Sequence, residues 1–186
     1  MTELCELAMK YGTDKGNVGN SHCYTSYYHN LFKNKRNYIR KILEIGIGNS
    51  DDMWEGYKAG ASLFMWEEYF PNAEIYALDI VPETLINVGR IHSYLCNQGS
   101  LSSLKKASTI LGGDFDLIID DGSHVPKHQI QTLYEFFPLL NITGMYIIED
   151  VWQVPEILNQ IPYRFELKEF SSKADDKLII IKKEDQ

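Results

Sequence analysis

Two acidic segments carry the residue types with the clearest capacity for chemistry. They are residues 120–124, which read Asp-Asp-Gly-Ser-His, and the pair Glu149 and Asp150, and each lies at the end of a strand-like apolar run. Because ligands of open α/β sheets bind at the carboxyl ends of the strands, we expect these side chains to meet at one sheet edge. Carboxylates crowded there repel one another unless a cation lies between them. An oxygen-only set suits Mg²⁺ first, and Mn²⁺ or Ca²⁺ after it.

His124 is better suited to be a general base than a ligand of a hard cation. Its reference pKa of about 6.5 lets it accept a proton near neutral pH, for example from a metal-bound hydroxyl. The competing interpretation is that Asp120 and Asp121 cap the following helix, with His124 in its first turn. Capping accounts for one aspartate and leaves Glu149 and Asp150 unexplained.

A glycine turn follows the first strand-like run. Residues 44–48 read Glu-Ile-Gly-Ile-Gly, and such a turn lets a ligand approach the backbone closely. Asp79 ends the next strand-like run, where it is placed to accept hydrogen bonds from two ribose hydroxyls. Nicotinamide dinucleotides and S-adenosylmethionine both need such an acceptor, so the turn and Asp79 together predict an adenosine-type cofactor. The alternative is a tight turn that binds nothing.

The residues after the turn favour S-adenosylmethionine. The dinucleotide fingerprint needs a third glycine, which this sequence lacks, and Asp51 and Asp52 stand where a pyrophosphate would bind. S-adenosylmethionine carries a sulfonium cation and no phosphate, so an acidic surround does not repel it. Gln98 follows the third strand-like run, where an adenine contact would lie, although an ordinary turn explains it equally well.

The composition favours one globular domain over residues 1–186, with residues 1–40 as an N-terminal helical and lid segment. Hydrophobic residues make up 44% of the chain, and the net charge of -8 argues against nucleic acid as a partner. The three cysteines have no metal or disulfide spacing, which favours a reducing compartment. The start does not resemble a signal peptide and no apolar run is long enough for a membrane span, so we expect a cytoplasmic protein.

Strand-like runs alternate with helical patterns along the chain, which predicts an α/β fold with a mostly parallel sheet. The predicted core strands are residues 41–45, 74–79, 91–95, 115–120 and 144–149. The predicted helices are residues 2–10, 24–36, 62–70 with Ser62 as the N-cap, 82–89, 100–110 and 126–139. Two final runs, residues 164–170 and 177–182, predict an antiparallel hairpin that brings the sheet to seven strands.

Four segments carry a family resemblance: residues 10–15 (Lys-Tyr-Gly-Thr-Asp-Lys) with His22 and Tyr24, residues 43–48, residues 62–79, and residues 119–124 with 148–150. They resemble the sugar O-methyltransferases of macrolide biosynthesis, of the mycinamicin and tylosin type, and related small enzymes of polysaccharide modification. The resemblance covers residues 10 to about 152, and it implies the three-layer, Rossmann-like fold of class I methyltransferases.

The resemblance also implies roles for individual residues. The Mg²⁺ (or Mn²⁺) ligands would be Asp121, Glu149 and Asp150, with His124 as the catalytic base. The S-adenosylmethionine site would comprise Glu44, Gly46, Gly48, Ser62, Asp79, Gln98 and Asp120. A lid that touches cofactor or substrate would contain Tyr11, Asp14, Lys15 and His22, although the residues alone indicate only a polar loop.

The expected acceptor is a sugar hydroxyl. The macrolide enzymes carry an extra N-terminal domain that shapes the acceptor pocket, and this chain does not include it. A nucleotide-linked or glycan sugar of polysaccharide, capsule or natural-product biosynthesis is therefore expected, and a homo-oligomer is compatible with the sequence. One alternative is an NAD-dependent sugar oxidoreductase, which the missing third glycine of the turn opposes. The other is a catalytically silent cofactor-binding subunit, which gives the acidic segments no reason to converge.

Overall fold

A computed structural model describes residues 1–16, 22–48, 58–170 and 175–186. The strands within these ranges form one eight-stranded sheet with the order β3-β4-β2-β1-β5-β6-β8-β7. Their bounds are β1 Lys41–Ile45, β2 Glu74–Asp79, β3 Asn87–Val88, β4 Ile91–Leu95, β5 Phe115–Asp120, β6 Leu140–Ile148, β7 Glu166–Glu169 and β8 Lys177–Lys182.

The centre of the sheet is parallel and its edges are not. β4, β2, β1, β5 and β6 run in one direction. β8 is antiparallel to β6, β7 is antiparallel to β8, and β3 is antiparallel to β4. The predicted parallel sheet with a C-terminal hairpin is thus confirmed, with eight strands rather than seven.

Helices cover both faces of the sheet. Helices α1 (Glu3–Tyr11), α2 (Tyr24–Phe32) and α3 (Ala61–Tyr69) pack on one face, where the core includes Ile42 of β1. Helices α4 (Leu101–Leu111), α5 (Pro126–Phe136) and α6 (Val154–Leu158) pack on the other, where the core includes Leu43. Neighbouring residues of β1 therefore serve opposite cores, as the two-residue period of a strand requires.

Three predicted helices differ from the structure. The helix predicted at residues 82–89 is wrong: a single 3₁₀ turn, Pro82–Thr84, leads into edge strand β3, whose two residues pair with β4. The helix predicted at residues 24–36 ends at Phe32. The helix predicted at residues 126–139 ends at Phe136, because Pro138 cannot donate the backbone hydrogen bond that would continue it.

Ser62 does not cap α3, contrary to the prediction. The residue that precedes this helix is Gly60, with φ of +79°, and Ser62 lies inside the first turn. Its hydroxyl instead donates a hydrogen bond to the buried carboxylate of Glu44 on β1.

Within the described residues, every helix is too short or too polar to cross a membrane.

Candidate functional site

A cavity of about 420 Å³ opens at the carboxyl ends of the central parallel strands. One side, here the glycine wall, consists of residues 45–48, 78–81 and 96–99, at or just after the carboxyl ends of β1, β2 and β4. The other side, here the acidic wall, consists of residues 121–124 and Asp150, which follow β5 and β6. The edge predicted for ligand binding is therefore where the cavity lies.

The glycine wall is shaped by close backbone packing. Gly46 has a φ of +95°, and a Cβ atom there would clash with the backbone carbonyl of Asp121. Gly48 also has a positive φ, of +80°. Only glycine adopts such angles at low cost, so the sequence Gly-x-Gly is what lets the β1 turn lie against the β5 turn.

Asp79 fixes the same turn from the neighbouring strand. Its Oδ2 accepts a hydrogen bond from the Ile47 backbone N–H at 2.7 Å, and its Oδ1 accepts from Val81 N–H at 2.8 Å. The side chain still lines the cavity. Since each carboxylate oxygen accepts more than one hydrogen bond, Asp79 keeps capacity for ribose hydroxyls.

Glu44 forms the floor beneath this turn. It is fully buried, and its two oxygens accept hydrogen bonds from Ser62 Oγ at 2.8 Å and from Trp66 Nε1 at 2.5 Å. Burial raises the pKa of Glu44, against the lowering effect of Lys15. Both Glu44 and Ser62 line the cavity, as their predicted cofactor role requires.

Gln98 joins the two walls. Its Nε2 donates to Asp120 Oδ1 at 2.7 Å and its Oε1 accepts from the Ser123 backbone N–H at 2.8 Å. A Cβ atom on Gly122 would clash with this amide. Asp120 is fully buried, and burial raises its pKa to about 7. Gln98 lines the cavity and Asp120 lies behind it, so Asp120 acts on the cavity through Gln98.

The acidic wall brings together Asp121, His124 and Asp150, from which one ligand atom each lies within 4.8 Å of the others. His124 has a φ of +54° and Asp150 a φ of +51°, in a region that residues other than glycine rarely adopt. Such strain is retained where the surroundings enforce it, typically at functional sites. The two residues are thus held with their side chains converging, with His124 Nε2 3.9 Å from Asp150 Oδ2.

This group fits a divalent cation. Burial first, and then the negative charge of Asp121, raises the pKa of Asp150 to about 6, so the negative charge here is not fully balanced. The two carboxylates supply the oxygen ligands that Mg²⁺ or Mn²⁺ prefers, and the imidazole of His124 lies beside them. In addition, His124 Nδ1 is buried without a hydrogen-bond partner among the described residues.

Glu149, the third predicted metal ligand, is placed differently. It is buried, and its oxygens accept hydrogen bonds from Tyr28 Oη at 2.5 Å and from Lys15 Nζ at 2.7 Å. Both partners therefore compete with any metal for Glu149, and its ligand role stays a prediction.

Lys15 lies deeper in the site than a lid residue would. Its side chain is 2% exposed, and its Nζ contacts Asp121, Glu149 at 2.7 Å and Glu44 at 3.3 Å. Burial acts to lower the pKa of Lys15, but the surrounding carboxylates, Asp121 first, outweigh it and raise that pKa well above its usual value. The cation that the acidic segments require is thus partly supplied by the chain itself.

The other predicted lid residues divide between the cavity and the surface. Asp14 lines the cavity. His22 lies against Asp150, with Nε2 3.3 Å from Oδ2, and its Nδ1 lies 3.2 Å from Asp176 Oδ1. Tyr11 does not line the cavity, and its hydroxyl donates to Glu68 on α3.

Two tyrosines complete the site without having been predicted as functional. Tyr24 Oη donates to Asp150 Oδ1 at 2.6 Å, and Tyr28 reaches Glu149 as described above. Both residues are fully buried. Their spacing of four residues, which places them on one face of α2, was the available signal. Asp51 and Asp52, which argued against a dinucleotide, lie outside the described residues.

No family model matches the chain. It is 34% identical over 148 residues to the 8-demethyl-8-α-L-rhamnosyl tetracenomycin-C 2′-O-methyltransferase of Streptomyces olivaceus, with 80% of this chain and 37% of that protein covered. It is 36% identical over 154 residues to the mycinamicin VI 2″-O-methyltransferase of Micromonospora griseorubida, with 81% and 36% covered. The chain thus spans just over a third of the length of these curated relatives.

Solved structures agree with the sequence relatives. The MycE methyltransferase from the mycinamycin biosynthetic pathway, in complex with Mg, SAH and mycinamycin VI, matches with a TM-score of 0.78 and 26% identity, over 97% of this chain and 54% of that chain. A caffeoyl-CoA O-methyltransferase homologue from Staphylococcus aureus matches with a TM-score of 0.60 at 14% identity, which shows the fold alone. The class I methyltransferase fold expected from the sequence is therefore confirmed.

Proposed function

We propose that this chain, a homologue of the antibiotic sugar O-methyltransferases, transfers the methyl group of S-adenosylmethionine to a sugar hydroxyl with the help of a divalent cation. The observation that carries the proposal is that two unlike walls face one cavity at the carboxyl ends of the central strands. The glycine wall suits an adenosine-type cofactor, and the acidic wall has an imidazole and two carboxylates beside it.

The cofactor is assigned to the glycine wall. Gly46 and Gly48 would let it approach the backbone, Asp79 would accept hydrogen bonds from the ribose, and Gln98 lies where the adenine would bind. The SAH bound in the related MycE structure supports an adenosine-type cofactor for this chain. The acidic floor at Glu44 is compatible with the positive charge of the sulfonium.

Mg²⁺ or Mn²⁺ would be held by Asp121 and Asp150, with Glu149 as the predicted third ligand. When bound, such an ion lowers the pKa of a coordinated hydroxyl. The proton of the sugar hydroxyl would pass to His124 Nε2, and the nearby carboxylate of Asp150 would stabilise the imidazolium that forms. The sugar oxygen would then take the methyl group from the sulfonium, which leaves S-adenosylhomocysteine and a methoxy sugar.

The acceptor we propose is a nucleotide-linked sugar or a sugar already joined to a glycan or a natural product. Relatives named for a rhamnosyl tetracenomycin and for mycinamicin VI support the natural-product form. A polysaccharide or capsule sugar remains the other form of the same proposal, since both present vicinal hydroxyls.

Two measurements test the proposal. Calorimetry should detect S-adenosylhomocysteine binding and no NADH binding, whereas the opposite preference would favour a dehydrogenase. Methyl-labelled S-adenosylmethionine should then label at least one member of a panel of sugar nucleotides, oligosaccharides and glycosylated antibiotics. That labelling should stop with a chelator and return with Mg²⁺. Cofactor binding without labelling of any acceptor would leave a silent binding subunit as the better account.

A further inference from the structure

The position of Lys15 is not explained by the proposed reaction. Its ammonium group lies among three carboxylates from three different strand ends: Glu44, Asp121 and Glu149. Asp121 is at the same time one of the groups that could hold a divalent cation. One carboxylate is therefore available to two cations, one built into the chain and one from solution.

The backbone of Lys15 is fixed, so its ammonium group is delivered to a preset place. The carbonyl of Lys15 accepts hydrogen bonds from the backbone N–H groups of Tyr24 and Thr25, each at 3.1 Å, at the start of α2. Upstream, Gly12 ends α1 with a φ of +73° and donates its N–H to Ala8. Two helix ends thus hold the segment that carries Lys15.

The charges in the site determine what this ammonium group does. It is one positive charge against three contacting carboxylates, and Asp150 lies near one of them, Asp121, so the cluster still favours an added cation. At the same time, a fixed positive charge a few ångströms from a divalent ion repels it, and inside a protein this repulsion is strong. Lys15 therefore stabilises the carboxylate cluster when no metal is bound, and it lowers the affinity of the cluster for a divalent cation.

We propose that Lys15 is a built-in counter-ion that competes with the divalent cation for Asp121 and Glu149 and thereby sets the affinity of the site for metal. This inference rests on the proposed function, because it takes Asp121 and Asp150 as the metal-holding residues. Lys15 acts here as a positioning residue and has no part in proton or methyl transfer.

The test compares metal binding by the wild type with that of Lys15→Met. Mn²⁺ titrated by calorimetry, with S-adenosylhomocysteine present, should bind Lys15→Met about tenfold more tightly or better, since the competing charge is gone. Without metal the variant should melt at a lower temperature than the wild type, and it should gain more from Mn²⁺. Lys15→Arg keeps the charge and should bind Mn²⁺ with nearly the wild-type affinity.

A matched control is Lys10→Met, which removes an exposed lysine from the same segment of chain, where it pairs with Glu68. Its Mn²⁺ affinity should equal that of the wild type.

A Mn²⁺ affinity of Lys15→Met that is equal to or weaker than that of the wild type would overturn the inference while leaving the proposed function intact. Failure of both the wild type and Lys15→Met to bind Mn²⁺ would overturn both. Binding by Lys15→Met alone would support the inference and remove the metal from the proposed function.

A measurement on the wild type covers the case in which Lys15→Met does not fold. A buried, hydrogen-bonded ammonium group can be followed by its ¹H–¹⁵N NMR signal. Mg²⁺ should shift the Lys15 signal with the same midpoint as metal binding by calorimetry. A Lys15 signal that does not respond to bound Mg²⁺ would contradict the competition.

Discussion

The glycine wall and the acidic wall face one cavity but are held in place by different forces. The glycine wall depends on backbone geometry: Gly46 and Gly48 have positive φ angles, and Asp79 accepts two backbone N–H groups. The acidic wall depends on side chains delivered from far along the sequence, such as Lys15, which bonds Asp121 and Glu149.

The difference predicts which substitutions each wall is sensitive to. On the glycine wall, which depends on backbone geometry, a larger side chain should lower the affinity for the cofactor. On the acidic wall, which depends on buried charges, a change of charge should lower kcat or the affinity for metal. Substitutions on one wall should leave the function of the other largely intact, and the following predictions test this separation.

The largest effect is expected on the acidic wall. His124→Ala should lower kcat by roughly 10²- to 10⁴-fold, the usual contribution of a general base, while the affinity for S-adenosylhomocysteine stays near wild type. Steady-state kinetics and calorimetry measure the two quantities. His92→Ala removes an exposed histidine that pairs with Glu74 on the sheet and should change neither. Wild-type turnover in His124→Ala would show that another group is the base.

Gly46→Ala tests the point at which the two walls meet. Because a Cβ atom there clashes with the Asp121 carbonyl, the variant should lose cofactor affinity and about 1–3 kcal/mol of stability, or more. Gly112→Ala is the control, since its φ is +64° but nothing lies within 4 Å of the added atom. Chemical denaturation should show a larger loss of unfolding free energy in Gly46→Ala, which has both strain and a clash, than in Gly112→Ala, which has strain alone. Equal losses in the two variants would mean that close packing does not shape the wall.

Asp79→Asn should weaken S-adenosylhomocysteine binding about tenfold to a hundredfold, as expected for a lost hydrogen bond to a charged group, and leave Mn²⁺ affinity unchanged. Asp116→Asn is a matched control, because Asp116 also accepts two backbone N–H groups, from Arg40 and Lys41, but at the opposite end of β1. If both variants lost cofactor equally, Asp79 would be acting through the fold.

The smallest effect concerns two cysteines. Burial raises the pKa of Cys96, which lines the glycine wall. For Cys5 on α1, burial is outweighed by hydrogen bonds from Ser26, Thr2 and Thr25, which lower its pKa to about 7. Iodoacetamide should therefore alkylate Cys5 with a pH midpoint near 7, and Cys96 should react at that pH only slowly. Mass spectrometry of the two peptides measures both rates, and bound S-adenosylhomocysteine should protect Cys96 alone. Protection of Cys5 would place the cofactor elsewhere.

The lowered pKa of the Cys5 thiol also predicts the direction in which the stability of the protein changes with pH. A group whose pKa is lower in the folded state contributes stability above its unfolded value and loses it as the pH falls through the folded value. Relative to Cys5→Ser, the wild type should therefore lose part of its stability as the pH falls from about 9 to about 7. Thermal melting across this range would show a difference that does not change with pH if the thiol were not ionised.

The regular parts of the fold could be predicted because their signals are local. β1, β2, β5 and β8 have the predicted bounds, since each is a short run of buried aliphatic residues with a clear end. The edge strand Asn87–Val88 could not be found this way, because it exists only through pairing with β4. The helix predicted at residues 82–89 is wrong for this reason.

In the site, too, the residues with local sequence signals could be predicted and those placed by long-range packing could not. The Gly-x-Gly turn and Asp79 could be found from their places at the ends of successive strands. The location of Lys15 could not, because its partners Asp121 and Glu149 lie 106 and 134 residues away. Tyr11 belongs to the same polar segment yet turns to the surface. Composition gives no means of distinguishing these two residues, because packing of α1 and α2 decides their directions.

The central claim is that the metal and the transferable methyl group share one cavity. NMR of S-adenosylmethionine labelled with ¹³C at its methyl group, bound to the protein, tests it most directly. Mn²⁺ should broaden the methyl signal strongly, whereas Mg²⁺ at the same occupancy should not, and Asp150→Asn should reduce the broadening by weakening metal binding. A methyl signal that stays sharp while Mn²⁺ is bound would contradict the account.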